Sequence, residues 1–200
     1  MRLILVIIAC AVLISACASK WTLVGNENET VRLSQVTFKI PLHWVLYNNH
    51  FNEYTAVVNG KPVDNKVKRV IVSRDGLNLN IIDIIEFKRE KAFPSINKAV
   101  HDSTLPSEMA ELFIAEQEAT LGIDNLQILT NEPATVAGQK GFTVHFRYKT
   151  QTGLQKEQVV YGFSTPNKFY IFKFFAPSLH YFETNSPEFE ALIKSIKLNS

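Results

Sequence analysis

The stretch "FYIFKFF", Phe169 to Phe175, constrains this chain more than any other part of it. Successive side chains of a strand point to opposite faces of the sheet. One face here carries Phe169, Ile171 and Phe175, and the other carries Tyr170, Phe172 and Phe174. Neither set tolerates water, so the segment has to be an inner strand of a sheet covered on both sides. Phe142 to Tyr148 reads differently, with Phe142, Val144, Phe146 and Tyr148 on one face and Thr143, His145 and Arg147 on the other. That is the pattern of a half-covered strand.

Further strands read from "VTFKIP" (Val36 to Pro41), "HWVLY", "RVIVS", "LNLNIIDIIEF", "LQILT", "ATVAGQKGFTVHFRYKT" and "QKEQVVYGFST". The breaks between them are short: "RDG" at Arg74 to Gly76, Gly138, "QTG" at Gln151 to Gly153, and "TPNK". Short breaks imply antiparallel pairing, since a parallel return needs a long crossover. Pro106, Glu108 and Glu111 open a helix with Met109, Leu112, Phe113 and Ala119 on its apolar face and Gly122 at its close. Ser186-Pro187-Glu188 caps a last helix that buries Phe189, Leu192, Ile193 and Ile196. The expected class is α+β, a mainly antiparallel sheet with helices packed on both faces, an α/β/α sandwich. With 200 residues, 46% of them apolar, the chain has enough material for one core.

The N-terminus follows other rules. Arg2 is followed by an uncharged apolar run from Leu3 to Ile14, too short for a bilayer span of about 20 residues and right for the apolar region of a secretory signal. It ends in Ile14-Ser15-Ala16-Cys17. This resembles the bacterial lipoprotein signal, which implies cleavage after residue 16, a diacylglyceryl group on the Cys17 sulfur, and loss of Cys10 with the signal. The mature chain then has no free thiol and no disulfide. Ala18, in place of the aspartate that retains lipoproteins at an inner membrane, favours the outer membrane in a two-membrane host. Residues 17–30 read as the lipidated end and a flexible tether, and residues 31–200 as one domain.

The segments "VTFKIPLHW", "AGQKGFTVHFRY", "FYIFKFFAP" and "SPEFEALIKSIKL", in that order, resemble the PsbP-like fold over about Val31 to Leu198. The family includes photosystem extrinsic proteins and bacterial envelope lipoproteins. The resemblance implies an α/β/α sandwich and a non-catalytic binding or assembly role beside an envelope protein partner. It carries no binding residue onto this chain, and a fold does not dictate a function.

The 21 basic and 19 acidic residues are scattered, with no basic stripe, which excludes nucleic acid as the expected partner. His43, His50, His101, His145 and His180 form no ligand pair of known spacing, and no nucleotide or calcium motif occurs, so neither a metal nor a cofactor is expected. "YGFSTPN" around Ser164 is not a nucleophile elbow. Asp83 shares strand parity with Leu79, Ile81, Ile85 and Phe87. Either a bulge near Ile81-Ile82 turns it outward, which is the preferred reading, or it is an unusual carboxylate that marks a site. Arg74 and Asp75 at a turn, together with Asp83, Tyr181 and Phe182, are the candidate partner-binding residues. Two alternatives stand beside the binding module: a hydrolase built around Asp83 and His145, and a carrier of a small apolar ligand between sheet and helix.

Overall fold

The computed structural model describes residues 21–26, 29–47, 53–58, 61–76, 79–121 and 126–199. The expected helix-closing Gly122, His50 and Cys17 lie outside them. The described residues form twelve strands and two α-helices. The strands are β1 (Trp21–Leu23), β2 (Thr30–Leu33), β3 (Val36–Lys39), β4 (Val45–Tyr47), β5 (Glu53–Val58), β6 (Lys61–Ser73) and β7 (Ile81–Lys88), then β8 (Gln127–Val136), β9 (Gln139–Lys149), β10 (Gln155–Ser164), β11 (Lys168–Pro177) and β12 (Lys197–Leu198). The helices are α1 (Pro106–Leu121) and α2 (Glu183–Ser195).

The large sheet runs β1-β4-β6-β7-β11-β10-β9-β8, with β5 paired to β6, and a small sheet runs β12-β3-β2. Every pairing is antiparallel. The two-faced strand β11 sits between β7 and β10, well inside the sheet, as its composition demands. Its alternate residues feed two separate apolar clusters. Tyr170, Phe172 and Phe174 pack with Phe189, Leu192, Ile193 and Ile196 around α2 and with Leu33, Val36 and Phe38 of the small sheet. Phe169 and Ile171 pack with Met109, Ala110 and Phe113 of α1 and with Phe142, Val144 and Phe146 of β9. One covering layer therefore includes a second sheet, which the expectation of helices alone did not contain. That sheet escapes sequence reading because β12 is two residues long and pairs with β3 across most of the chain.

Two boundaries and one buried face differ from expectation. Trp21–Leu23 pairs with Val45–Tyr47, and Val24 is fully buried, so Trp21–Val24 of the presumed tether belong to the fold, which reaches at least to Trp21. Helix α2 begins at Glu183 with no side-chain cap, and Pro187 lies inside it. There the proline deprives only the Glu183 carbonyl of a donor, and the entry is shaped instead by an irregular turn, Ser178–Phe182, in which Leu179 and His180 have non-helical backbone angles. On α1 the buried stripe runs through Met109, Ala110, Phe113, Glu116 and Gln117, whereas Ala119 is exposed. Two of these are polar residues, each hydrogen-bonded: Glu116 to the Ser95 and Ile96 amides and Gln117 to the buried Gln158.

Candidate functional site

Strand β7 is in unbroken register with both neighbours, Asp83 opposing Ile71 on one side and Lys173 on the other. There is no bulge at Ile81-Ile82, and Asp83 is not turned outward. Its side chain stays on the face of Ile85 and is fully buried. Two cations make this tolerable: Arg69 donates from Nε to Oδ1 at 2.6 Å and from Nη2 to Oδ2 at 2.9 Å, and Lys173 Nζ lies 3.0 Å from Oδ2. Burial alone raises the carboxyl's pKa, but the charges of Lys173 and Arg69 outweigh it and hold the group below its ordinary value.

Beside this triad lies a cavity of about 350 Å³. Its sheet wall follows from register, since Arg69, Ile85 and Ile171 form one cross-strand row on that face, with Lys173 next along β11. The opposite wall is α1, through Phe113, Glu116, Gln117 and Thr120, and the segment Ala92–Ser95 closes the side. Helix α1 packs mainly over β8, β9 and β10, and the cavity lies to the side, between the helix and the β6–β7 part of the sheet. Glu116 braces the segment: its carboxylate accepts from the Ser95 amide at 3.1 and 2.9 Å and from the Ile96 amide at 3.2 Å. Gln117 accepts from Gln158 Nε2 at 3.3 Å. The helix wall's carboxylate is thus committed to backbone amides, whereas on the sheet wall Arg69 and Lys173 both bond Asp83. The cavity suits a mostly apolar molecule with a hydrogen-bond-accepting end directed at the sheet.

The other candidate residues are placed as follows. Arg74 donates from Nη1 to Asn185 Oδ1 at 3.1 Å and to Glu188 Oε1 at 2.8 Å, tying the β6–β7 connection to α2. Asp75 is exposed, and its carboxylate accepts from the buried Asn80 at 2.7 Å, which in return accepts from the amides of Arg74 and Asp75. The connection therefore extends to Asn80 and is held by an internal asparagine, not by a tight "RDG" turn. Phe182, expected at the surface, is buried, stacked 5.1 Å from His145 and 5.4 Å from Phe174. Tyr181 is half-buried. The exposed apolar residue of that segment is Leu179, at 87%, which sequence parity could not single out because the backbone there is irregular.

Asp83 and His145 do not meet. Asp83, Lys173, Val160 and Val144 form one register row and share a face, so His145, next to Val144, points to the other face three strands away. His145 Nε2 instead lies 2.9 Å from Glu157 Oε2, and Arg147 donates to Glu157 Oε1 at 2.7 and 3.0 Å. Burial raises the Glu157 pKa, but hydrogen bonds from Arg147 and His145 bring it below the ordinary value. The hydrolase built on Asp83 and His145 has no geometric basis. Among the described residues no cluster of three or more His, Cys, Asp or Glu could hold a metal ion, and no helix is long and apolar enough to cross a membrane.

No protein-family model matches the chain, and no curated protein matches it. Solved structures do. The cyanobacterial PsbP (CyanoP) of Synechocystis sp. PCC 6803 is similar at 13% identity and a TM-score of 0.58, over 92% of this chain and 99% of that one. The fold is PsbP-like. A mutant of the protein Mog1 shares it at 9% identity and a TM-score of 0.52, over 86% of this chain and 96% of that one. LpqN of Mycobacterium tuberculosis, described as involved in cell envelope biogenesis, matches at 11% identity over 92% of this chain and 80% of that one, but its TM-score of 0.37 carries no structural argument. At such identities the likeness speaks for the PsbP-like fold and leaves its residues' roles to the geometry above.

Proposed function

We propose that this chain is an envelope lipoprotein anchored through an acylated Cys17, and that its PsbP-like body is a non-catalytic binding module for a small, mostly apolar molecule. The single observation that supports the binding reading is the cavity between α1 and the sheet: apolar walls from Ile85, Phe113 and Ile171, with Arg69 and Lys173 at one side. In this reading α1 and the α2 layer are the two outer layers of an α/β/α sandwich, and the α1 layer is the one that admits a ligand. The anchor reading rests on Ile14-Ser15-Ala16-Cys17, and Ala18 directs it to the outer membrane of a two-membrane host.

Thr120 is exposed on α1 and lines the cavity, so Thr120→Trp sets an indole at its edge without disturbing the core. Wild-type protein is expected to bind the uncharged fluorophore N-phenyl-1-naphthylamine, with enhanced emission, and the variant to bind it at least several-fold more weakly. Equal binding by both proteins would remove the cavity from the proposal. Intact-mass measurement of the cell-derived protein tests the anchor separately, with a diacylglyceryl mass on a chain starting at Cys17 expected.

A further inference from the structure

Among the described residues, Leu23, Leu154, Leu179 and Leu105 are the most exposed large apolar side chains, at 60, 45, 87 and 58%. The first three gather at one end of the fold. Lys156 opposes Pro177 in the β10–β11 ladder, and Leu154 and Leu179 lie two residues beyond this pair on the two chains, past the end of the sheet. Leu23 is joined to them through a chain of direct contacts. The amide of Val24 donates to the Trp44 carbonyl at 2.8 Å, the Trp44 indole donates to Glu188, and Glu188 and Asn185 share Arg74. Asn185 Nδ2 then donates to the Tyr181 carbonyl at 2.9 Å, two residues from Leu179. Leu105 belongs to the opposite end, since it precedes α1 on the connection leaving Lys88, where Arg89 bonds Pro166 beyond β10.

Leu179 is presented by a strained backbone. His180 next to it has φ 71° and ψ −56°, a conformation unfavourable for a side chain with a Cβ, and its carbonyl is held by the Thr184 hydroxyl at 2.6 Å. The fold thus maintains an awkward turn that leaves a leucine in water.

We infer that this leucine end lies against the bilayer into which the Cys17 acyl chains insert, so that Leu179, Leu154 and Leu23 enter the headgroup region. The inference rests on the anchor reading above. The occupant follows from the length of chain between anchor and body: β1 starts at Trp21, leaving only Ala18, Ser19 and Lys20 between it and Cys17. Extended, that stretch reaches roughly 14 Å, so the β1 side of the body stays at the membrane surface. A body held so close presents one side to lipid, and the end next to β1 is the one with exposed leucines.

The test uses the full chain, expressed with its signal, in three variants, Leu179→Cys, Leu154→Cys and Leu105→Cys, each labelled with an environment-sensitive nitrobenzoxadiazole probe. The proteins are reconstituted into vesicles of phosphatidylethanolamine and phosphatidylglycerol. Probes at 179 and 154 are expected to shift to the blue, brighten several-fold and be quenched by spin-labelled lipid, while the probe at 105 does none of these. A water-like probe at 179 on protein whose mass shows lipid on Cys17 would overturn the leucine surface and leave the anchor standing. Equal quenching at all three positions would overturn it too. An unmodified Cys17 would sink the anchor reading, and a water-like 179 probe on that unmodified protein with the same vesicles would sink the leucine surface as well.

Discussion

Asp83→Ala is expected to lower the free energy of unfolding by about 3 kcal/mol, read from urea denaturation at neutral pH. The carboxylate is fully buried and is shared by Arg69 and Lys173, so truncation removes the acceptor that both cations bond beside the cavity wall. The lower part of the usual range applies because Arg69 is itself 38% exposed and recovers part of its hydration. A loss under about 0.5 kcal/mol, typical of neutral surface changes, would show that the triad adds nothing to stability. The same group sets an acid limb. Its folded pKa lies below the ordinary 3.8, so its contribution is complete above that value and is lost as pH falls through the folded pKa. Asp83→Asn should therefore unfold more easily than wild type at pH 7, with the gap closing toward pH 2.

Gly141→Ala is expected to cost at least as much, about 3 kcal/mol, for a reason unconnected with charge. A Cβ at Gly141 would collide with the Gly162 carbonyl oxygen and lie 2.9 Å from Phe163 Cβ, so β9 and β10 would have to part. Gly162 opposes Phe142 in the same ladder, and a Cβ there would enter the buried Phe142 ring and lie 3.0 Å from Ile171 Cδ1. Gly141 thus leaves room for the neighbouring strand's backbone, and Gly162 for the Phe142 ring. Gly138 is the useful contrast. It has φ 77° with open space around it, so alanine there should cost only about 1 kcal/mol through backbone conformation. Thermal denaturation of the three variants should rank Gly141 and Gly162 well above Gly138, and a reversed order would refute the packing argument.

These glycines show what sequence reading reaches. Gly138 was legible as a turn because a turn is local chemistry, whereas Gly141 and Gly162 looked like ordinary strand residues, since their neighbours come from another strand. The same division runs through the molecule. The two-sided apolar pattern of β11 located the middle of the sheet, and the face Phe189, Leu192, Ile193 and Ile196 located a helix, both from period alone. The cavity depends on how α1 sits over β8, β9 and β10 beside β6 and β7, which no periodicity records. Asp83 was noticed for its misplaced charge, but the choice between a bulge and a buried triad depended on Arg69 and Lys173, each on another strand.

The β12–β3 pairing also bears on how the protein folds. Leu198 opposes Val36, and the Asn199 amide donates to the Gln35 carbonyl at 2.7 Å, so the small sheet cannot close before residues 197–199 have been made and have returned to β3. A sheet whose closing partner lies about 160 residues away in sequence can lock only after a long loop has closed, and that wait makes it a late step of folding.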